Sequence, residues 1–376
     1  MTLLERTTES LPSRWYYDPA QHERELEAIW YRDWVCVGRE EDLRESGDYF
    51  VAAVGDESLV VTRDRDRRLH AFHNTCRHRG SRLCTEPRGR FAGGRIVCPY
   101  HAWSYALSGE LLATPKMELP RDFRREEHAL YAAHVDTWGG FLFVNLDPRP
   151  SATLASFLGE EAGNVRRWPL AELVSVRREV STLACNWKVF WENYSECYHC
   201  PGVHPELCRV MPLYREGLLS YEDSASPLPA GNATDNRPRV APGFKTWTLD
   251  GQSQLPFIEG PDEHDRALGV VFASFTASLF IVAHPDHVRS VRIMPTGPEQ
   301  IALTVDWLLA PGVAERHAEE LERMFELGRL VVAQDGRVCE LNQQGLRSRR
   351  HRAGVLMPQE HALADFHGWL RSRLSA

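Results

Sequence analysis

The chain has 376 residues, 43 % hydrophobic and 26 % charged, the composition of an ordinary folded protein long enough for two domains. A formal net charge of −8 leaves no basic face for nucleic acid, and the one arginine-rich run, "RSRRHR" at residues 347–352, reads as a solvated helix end or a subunit contact. There is neither a basic-then-apolar leader nor a long uncharged apolar run, so no secretion signal and no membrane span are expected, and the location is read as cytoplasmic.

In chain order, residues 1–45 read as a helical segment, because "QHERELEAIWYRDW" sets Leu26, Ile29, Trp30 and Trp34 at three- and four-residue spacing. Residues 46–150 change character to short strand-like runs such as "YFVAAV", "SLVVTRD", "LHAFHNT", "GRIVCPY" and "GGFLFVNL", punctuated by Gly, Asp and Pro, which is the pattern of a small antiparallel β domain. Residues 151–376 form a further domain. It opens with a linker helix in "SATLASFLGEEAGNVRRW" and a strand at "LVSVRREV", followed by a helix through "CNWKVFWENYSECYHC" that Pro201 and Gly202 are expected to stop. A turn-rich segment over residues 222–243 suggests a lid or substrate loop. Three strand-like stretches and one long helix over residues 313–346 complete the chain. The fold class is α+β.

Nine cysteines, an odd number without a leader, argue for free thiols and metal ligands over a disulfide framework. Four residues of the β domain stand out: "CRHRG" supplies Cys76 and His78, and "CPYHAW" supplies Cys98 and His101. Each loop pairs one thiolate with one imidazole, whereas a zinc finger groups two cysteines and then two histidines. A [2Fe-2S] cluster with cysteines on one iron and histidines on the other needs this mixed arrangement, and neutral imidazoles raise its potential. A zinc site is the competing reading.

A cluster alone would need only a ferredoxin-sized chain, so a second centre is expected. The segment "NWKVFWENYSECYHCPGVHPELC" holds His199 and His204, which would diverge by about 140° on an unbroken helix. A chain reversal at Pro201-Gly202 would return both to one point, with Glu196 within reach of His199. Two histidines and a carboxylate leave open positions on Fe(II) for O2. Asp335, Glu340 and Glu326 are the carboxylate candidates on the last long helix. A zinc knuckle of Cys197, Cys200, His204 and Cys208 is the rival.

These loops, with "YHAWSYALSGELLATP" after them, resemble the N-terminal domain of Rieske non-haem iron oxygenase α-subunits, although the connector over residues 79–97 looks longer than is usual. "CNWKVFWENYSECYHCPGVHPELCRVMP" resembles their catalytic domain, and among them most the subgroup that demethylates glycine betaine and related quaternary amines. The resemblance implies a Rieske [2Fe-2S] domain beside a curved antiparallel sheet wrapped around helices, in the helix-grip or START-like manner. It implies Asp335, in its "QD" context, as the third ligand of a mononuclear Fe(II), with Asn193 and Tyr194 as further catalytic candidates. It also implies a homotrimer in which Glu196 bridges a cluster histidine of one subunit to His199 of the next.

The expected activity is O2-dependent oxidation of a small organic molecule, foremost N-demethylation or hydroxylation of a betaine-like quaternary or tertiary amine. Hydroxylation or N-oxygenation of an aromatic or heterocyclic amine is the alternative, and a non-catalytic electron-transfer or zinc protein the remote one. "AVGDES" and "RFAGGR" lack a dinucleotide fingerprint, so NAD(P)H electrons must come through a separate flavin or iron–sulfur reductase, possibly with a ferredoxin. Trp191, Tyr194, Trp247, Phe257, Phe272, Phe275 and Trp307 could cage an ammonium or pack a core.

Overall fold

The computed structural model describes residues 3–115, 118–224 and 235–375. The chain divides into two compact units: one is Ile29–Gly159, and the other joins the segment before it to the segment after it. The sequence places the breaks after residues 45 and 150, whereas they fall at 28 and 159. Residues 1–45 are helical only in part, over α1 (Pro19–Glu25), its continuation Leu26–Trp30 and brief 3-10 turns. Past Trp34 the β-branched pair in "VCVGR" takes over and forms β1 (Val35–Arg39), which pairs inside the smaller unit.

That unit is built on a seven-stranded antiparallel sheet. Its strands are β1, β2 (Asp48–Val54), β3 (Glu57–Arg63), β4 (Leu69–His73), β5 (Arg88–Arg90), β9 (Ala132–Trp138) and β10 (Phe141–Asn145), in the order β1-β10-β9-β4-β3-β2-β5. A three-stranded sheet of β6 (Arg95–Val97), β7 (Ser104–Ala106) and β8 (Leu111–Ala113) adds to it. In β2, Phe50, Ala52 and Val54 alternate inward, whereas the centre of β3 is buried throughout because the strand lies mid-sheet. Strand β9 escapes the sequence reading because "AAHVDTW" carries no clean alternation of apolar and polar residues.

The larger unit contains a five-stranded antiparallel sheet, in the order β11-β15-β14-β13-β12. These are β11 (Val174–Leu183), β12 (Val271–Phe275), β13 (Leu279–Ala283), β14 (Val288–Gly297) and β15 (Gln300–Leu309). Directly opposed residues in such a sheet point to the same face, so Phe272, Val282, Arg289 and Trp307 form one row across four strands. Helix α5 (Leu321–Leu346) packs on that face: Trp307 meets Phe325 edge-on at 5.3 Å, and Arg289 Nη1 donates to the Gly328 carbonyl at 3.0 Å. The long helix expected from residue 313 is interrupted, with a short turn at Val313–Arg316 standing apart from α5. Of the segment read as a lid, residues 225–234 lie outside the described residues.

The helix expected across residues 185–200 is shorter than its pattern suggests. Helix α2 (Trp187–Tyr194) starts where the Asn186 side chain accepts the Lys188 N–H at 3.0 Å, and it stops at Ser195, whose hydroxyl bonds back to the Trp191 carbonyl at 2.7 Å. The Glu196 carboxylate then takes the N–H groups of Tyr198 and His199, fixing a turn in place of another helical turn. Pro201 does not end a helix; it sits in the first turn of α3 (Cys200–Val203), where its missing N–H costs nothing, and α4 (Pro205–Val210) follows directly. Cys197 and Cys200 are joined as a disulfide, against the expectation of free thiols; the other seven cysteines are free and buried.

Candidate active site

In the smaller unit, two loops of the same construction present the four mixed donors. Cys76 N–H bonds the Ser81 carbonyl (2.8 Å) and Gly80 N–H bonds the Cys76 carbonyl (2.9 Å). In the second loop Cys98 N–H bonds the Trp103 carbonyl (2.8 Å) and Ala102 N–H the Cys98 carbonyl (3.0 Å). The fourth residue after each cysteine turns left-handed: Gly80 at φ 73°, and Ala102 at φ 55°, where a Cβ makes that conformation unfavourable.

The two cysteines are buried, and each sits in the apolar cluster with Ile96, Trp103 and Leu107. The two histidines lie towards solvent, with His78 Nδ1 and His101 Nδ1 3.1 Å apart and His78 stacked on Trp103 at 4.8 Å. Paired sulfurs inside and paired imidazole nitrogens outside match a cluster with its thiolate iron buried and its histidine iron near the surface. Burial raises the Cys76 thiol, with the Tyr105 hydroxyl, 3.2 Å from its sulfur, working the other way. The Arg77 N–H donates to Tyr105 Oη at 3.2 Å, leaving the phenol proton free to point at that sulfur.

In the larger unit, His199, His204 and Asp335 come together although 131 residues separate the last two. Asp335 Oδ1 lies 2.8 Å from His204 Nε2 and 3.4 Å from His199 Nε2, and the two ring nitrogens are 3.3 Å apart. Three donors at adjacent corners around one ion, each about 2.1 Å from it, would stand about 3 Å apart, so the triangle is metal-sized. Burial opposes charge on His199, but the Asp335 and Glu196 carboxylates outweigh it and raise its imidazolium to about 9. Burial likewise disfavours the Asp335 carboxylate, yet hydrogen bonds from both histidines hold it below its usual value. A proton shared inside the triangle neutralises what a cation would neutralise, so metal entry would release protons.

The remaining ring nitrogens are fixed from outside. His199 Nδ1 is 2.6 Å from Glu196 Oε1, and His204 Nδ1 is 2.7 Å from Gln334 Oε1, whose own amide donates to Glu206 at 3.1 Å. With Nδ1 engaged, both rings turn Nε2 inward. The Asn193 amide nitrogen stands 3.3 Å from His199 Nε2. Cys200 Sγ also lies near the two histidines, 4.0 Å from His199 Nε2, but it is bonded to Cys197 and offers no thiolate, which removes the zinc knuckle. Glu340 is engaged elsewhere, accepting the Ala184 N–H at 2.9 Å, and Glu326 is exposed; neither borders the triangle.

Beside the triangle opens a cavity of about 650 Å³, lined by Trp191, Tyr194, Trp247 and Phe272 among the aromatics singled out from sequence. Phe257, Phe275 and Trp307 do not line it; Phe275 and Trp307 are core, and Phe257 is surface-exposed. Tyr194 stacks on Phe280 at 3.7 Å, and Phe280 on Trp191 at 4.2 Å, which holds both rings rigid. Sequence reasoning missed Gln334, Tyr105 and Arg289. Only Gln334, in the "QD" pair, carried a local signal.

Two domain families account for most of the chain: the Rieske [2Fe-2S] domain matches residues 33–124, and the ring hydroxylating alpha subunit (catalytic domain) matches residues 170–376. The chain belongs to the Rieske ring-hydroxylating oxygenase α-subunit family. As a member it is an oxidoreductase that uses O2, a Rieske cluster and a mononuclear iron to act on a small molecule. The glycine betaine monooxygenase oxygenase subunit of Chromohalobacter salexigens is 32 % identical over 98 % of this chain and 87 % of its own. Choline monooxygenase of Spinacia oleracea is 29 % identical over 96 % and 78 %. The fold is shared with the quaternary ammonium Rieske monooxygenase CntA crystallised with L-carnitine, at a TM-score of 0.72, 22 % identity and coverage of 98 % and 96 %. It is shared equally with naphthalene 1,2-dioxygenase from Rhodococcus, at 0.74, 18 % identity, 97 % and 94 %. Among the described residues no helix is long and apolar enough to cross a membrane.

Proposed function

We propose that this chain is the terminal oxygenase of a system that removes a methyl group oxidatively from a betaine-like quaternary or tertiary amine. The smaller unit would hold the cluster through Cys76, Cys98, His78 and His101, and the larger unit the iron through His199, His204 and Asp335. The observation that carries the reading is the metal-sized triangle opening on an aromatic cavity that also has carboxylates, Glu161 and Asp365, among its lining residues. Ring faces and carboxylates attract a permanent cation that cannot donate a hydrogen bond. The metal, when bound, supplies reductive activation of O2 at positions the three protein ligands leave open.

The protein's own groups bind and orient. Trp191, Tyr194, Trp247 and Phe272 would seat the trimethylammonium head, and their apolar surfaces would keep bulk water from the reacting methyl. Glu196 and Gln334 would hold the two imidazoles in one tautomer. In the net reaction one oxygen atom of O2 leaves in formaldehyde and the other in water, while hydride from NAD(P)H supplies the electron pair and the amine departs neutral. The relationship to the glycine betaine and choline monooxygenases supports the substrate class.

The chain is proposed to work in the cytoplasm as a homotrimer served by a separate reductase. Inter-subunit electron transfer has been described for the related CntA. Glu196 is the proposed bridge between subunits. In one chain its Oε1 already serves His199 and its Oε2 two backbone N–H groups, and a carboxylate has lone pairs for a further partner. The test is formaldehyde release coupled to O2 uptake with a reductase and glycine betaine, choline and dimethylamino analogues. Substrate-dependent formaldehyde is expected with at least one; oxidation of aromatic amines alone would overturn the reading.

A further inference from the structure

Arg289 is buried in the larger unit, 3 % exposed, and the Asp335 carboxylate attracts it without forming a close ion pair among the described residues. Its Nη1 donates to the Gly328 carbonyl, the guanidinium also bonds the Tyr194 hydroxyl, and its Nε has no partner among the described residues. The guanidinium also sits over the Trp247 ring at 5.7 Å, a contact that only partly offsets burial of a full charge. The β-sheet row places it on the face that α5 covers, and it lines the cavity beside Asp335 and His199.

Two other buried polar groups line the same cavity: the Tyr194 hydroxyl, set against Arg289, and Trp247 Nε1, which has no partner among the described residues. Burial raises the Tyr194 phenol far above its usual value, with the Arg289 charge working against that, so the group stays protonated and able to donate. A guanidinium, a phenol and an indole N–H border the space next to the metal-sized triangle. A buried donor with no protein partner calls for an acceptor such as ordered water or a bound molecule. The backbone accommodates the arginine as well: a Cβ at Gly328 would stand 2.9 Å from Arg289 Nη1, so glycine at that turn of α5 leaves room for the guanidinium.

We infer that Arg289, supported by Tyr194 and Trp247, is the receptor for a substrate carboxylate, so that the oxygenase takes zwitterionic ammonium carboxylates in preference to ammonium alcohols. The inference deepens the proposed function and rests on it for the cation, while the pairing of Arg289 with a carboxylate stands independently. A guanidinium presents a planar fork that a carboxylate matches with two parallel hydrogen bonds, and an alcohol cannot.

The test is calorimetric binding to the iron-loaded protein of four probes: glycine betaine, choline, the tert-butylacetate anion and neohexyl alcohol, the last two being carbon isosteres of the first two. The wild type is expected to bind each carboxylate roughly 10- to 100-fold more tightly than its alcohol, the range for hydrogen bonds to a buried charge. In Arg289→Met the preference disappears while alcohol binding is kept, which also shows that the variant is folded. Arg289→Lys retains part of the preference, because it keeps the charge without the fork, and it serves where Arg289→Met does not fold; Tyr194→Phe lowers the preference without abolishing it. No preference in the wild type, or an undiminished preference in both Arg289 variants, overturns the inference. Tert-butylacetate binding as tightly as glycine betaine would instead overturn the ammonium reading and leave the Arg289 assignment supported.

Discussion

Tyr105 illustrates how much a single side chain sets in the smaller unit. Its phenol accepts from the Arg77 N–H and lies 3.2 Å from Cys76 Sγ, so its proton can be given to that sulfur, a proposed ligand of the cluster. Such a bond stabilises the more negative, reduced cluster. Tyr105→Phe is therefore expected to lower the reduction potential by on the order of tens of millivolts, with cluster content unchanged, as read by spectroelectrochemical titration. An unchanged potential would show that the phenol does not donate to the sulfur. At this scale the sequence exposes donors arranged at short, chemically suggestive spacing, such as Cys76 with His78 or His199 with His204. It does not expose Tyr105 or Arg289, whose meaning arises only when Cys76, 29 positions away, or Gly328, 39 positions away, folds against them.

Among the elements, α1 and α2 are tied by a buried ion pair. Lys188 Nζ contacts Glu25 Oε1 and Oε2 at 2.8 and 2.7 Å with both side chains fully buried, and Trp187 Nε1 and Gln21 Nε2 complete the shell of Glu25 at 2.8 and 2.9 Å. Burial depresses the Lys188 ammonium, and Glu25 opposes that effect. A pair of this kind contributes little net, but breaking it strands a charge. Glu25→Gln or Lys188→Met alone is expected to destabilise the larger unit by about 3–5 kcal/mol in denaturant unfolding, and the double variant by clearly less than the sum. Additive losses would mean the two charges do not act as a pair. This tie explains why an N-terminal segment belongs with the unit that carries α2, a link between residues 163 positions apart that no local pattern reveals. The five-stranded sheet was legible in outline: β11, β14 and β15 each fall in a strand-like run, whereas β12 and β13 share the single run "GVVFASFTASLFIVAH". The end of α2 was not, since the Glu196 turn continues an apparently helical pattern with non-helical geometry.

For the whole molecule, the two units each present a complete set of donors on their own residues, one of two sulfurs and two imidazoles, the other of two imidazoles and a carboxylate. Both sets are proposed from the sequence because metal chemistry restricts ligand type and spacing, and the structure brings the members of each set together. Asp335 was separable from Glu326 and Glu340 only by resemblance, and the structure separates them by distance. The central claim is that this one chain holds both a two-iron cluster and a separate single iron. Iron and acid-labile sulfide analysis of anaerobically reconstituted protein, wild type beside Asp335→Ala, tests it most directly. The account predicts about three irons and two sulfides per chain in the wild type, falling to about two irons with sulfide unchanged in the variant. Zinc as the bound metal, or a wild type with no more iron than Asp335→Ala, would contradict it.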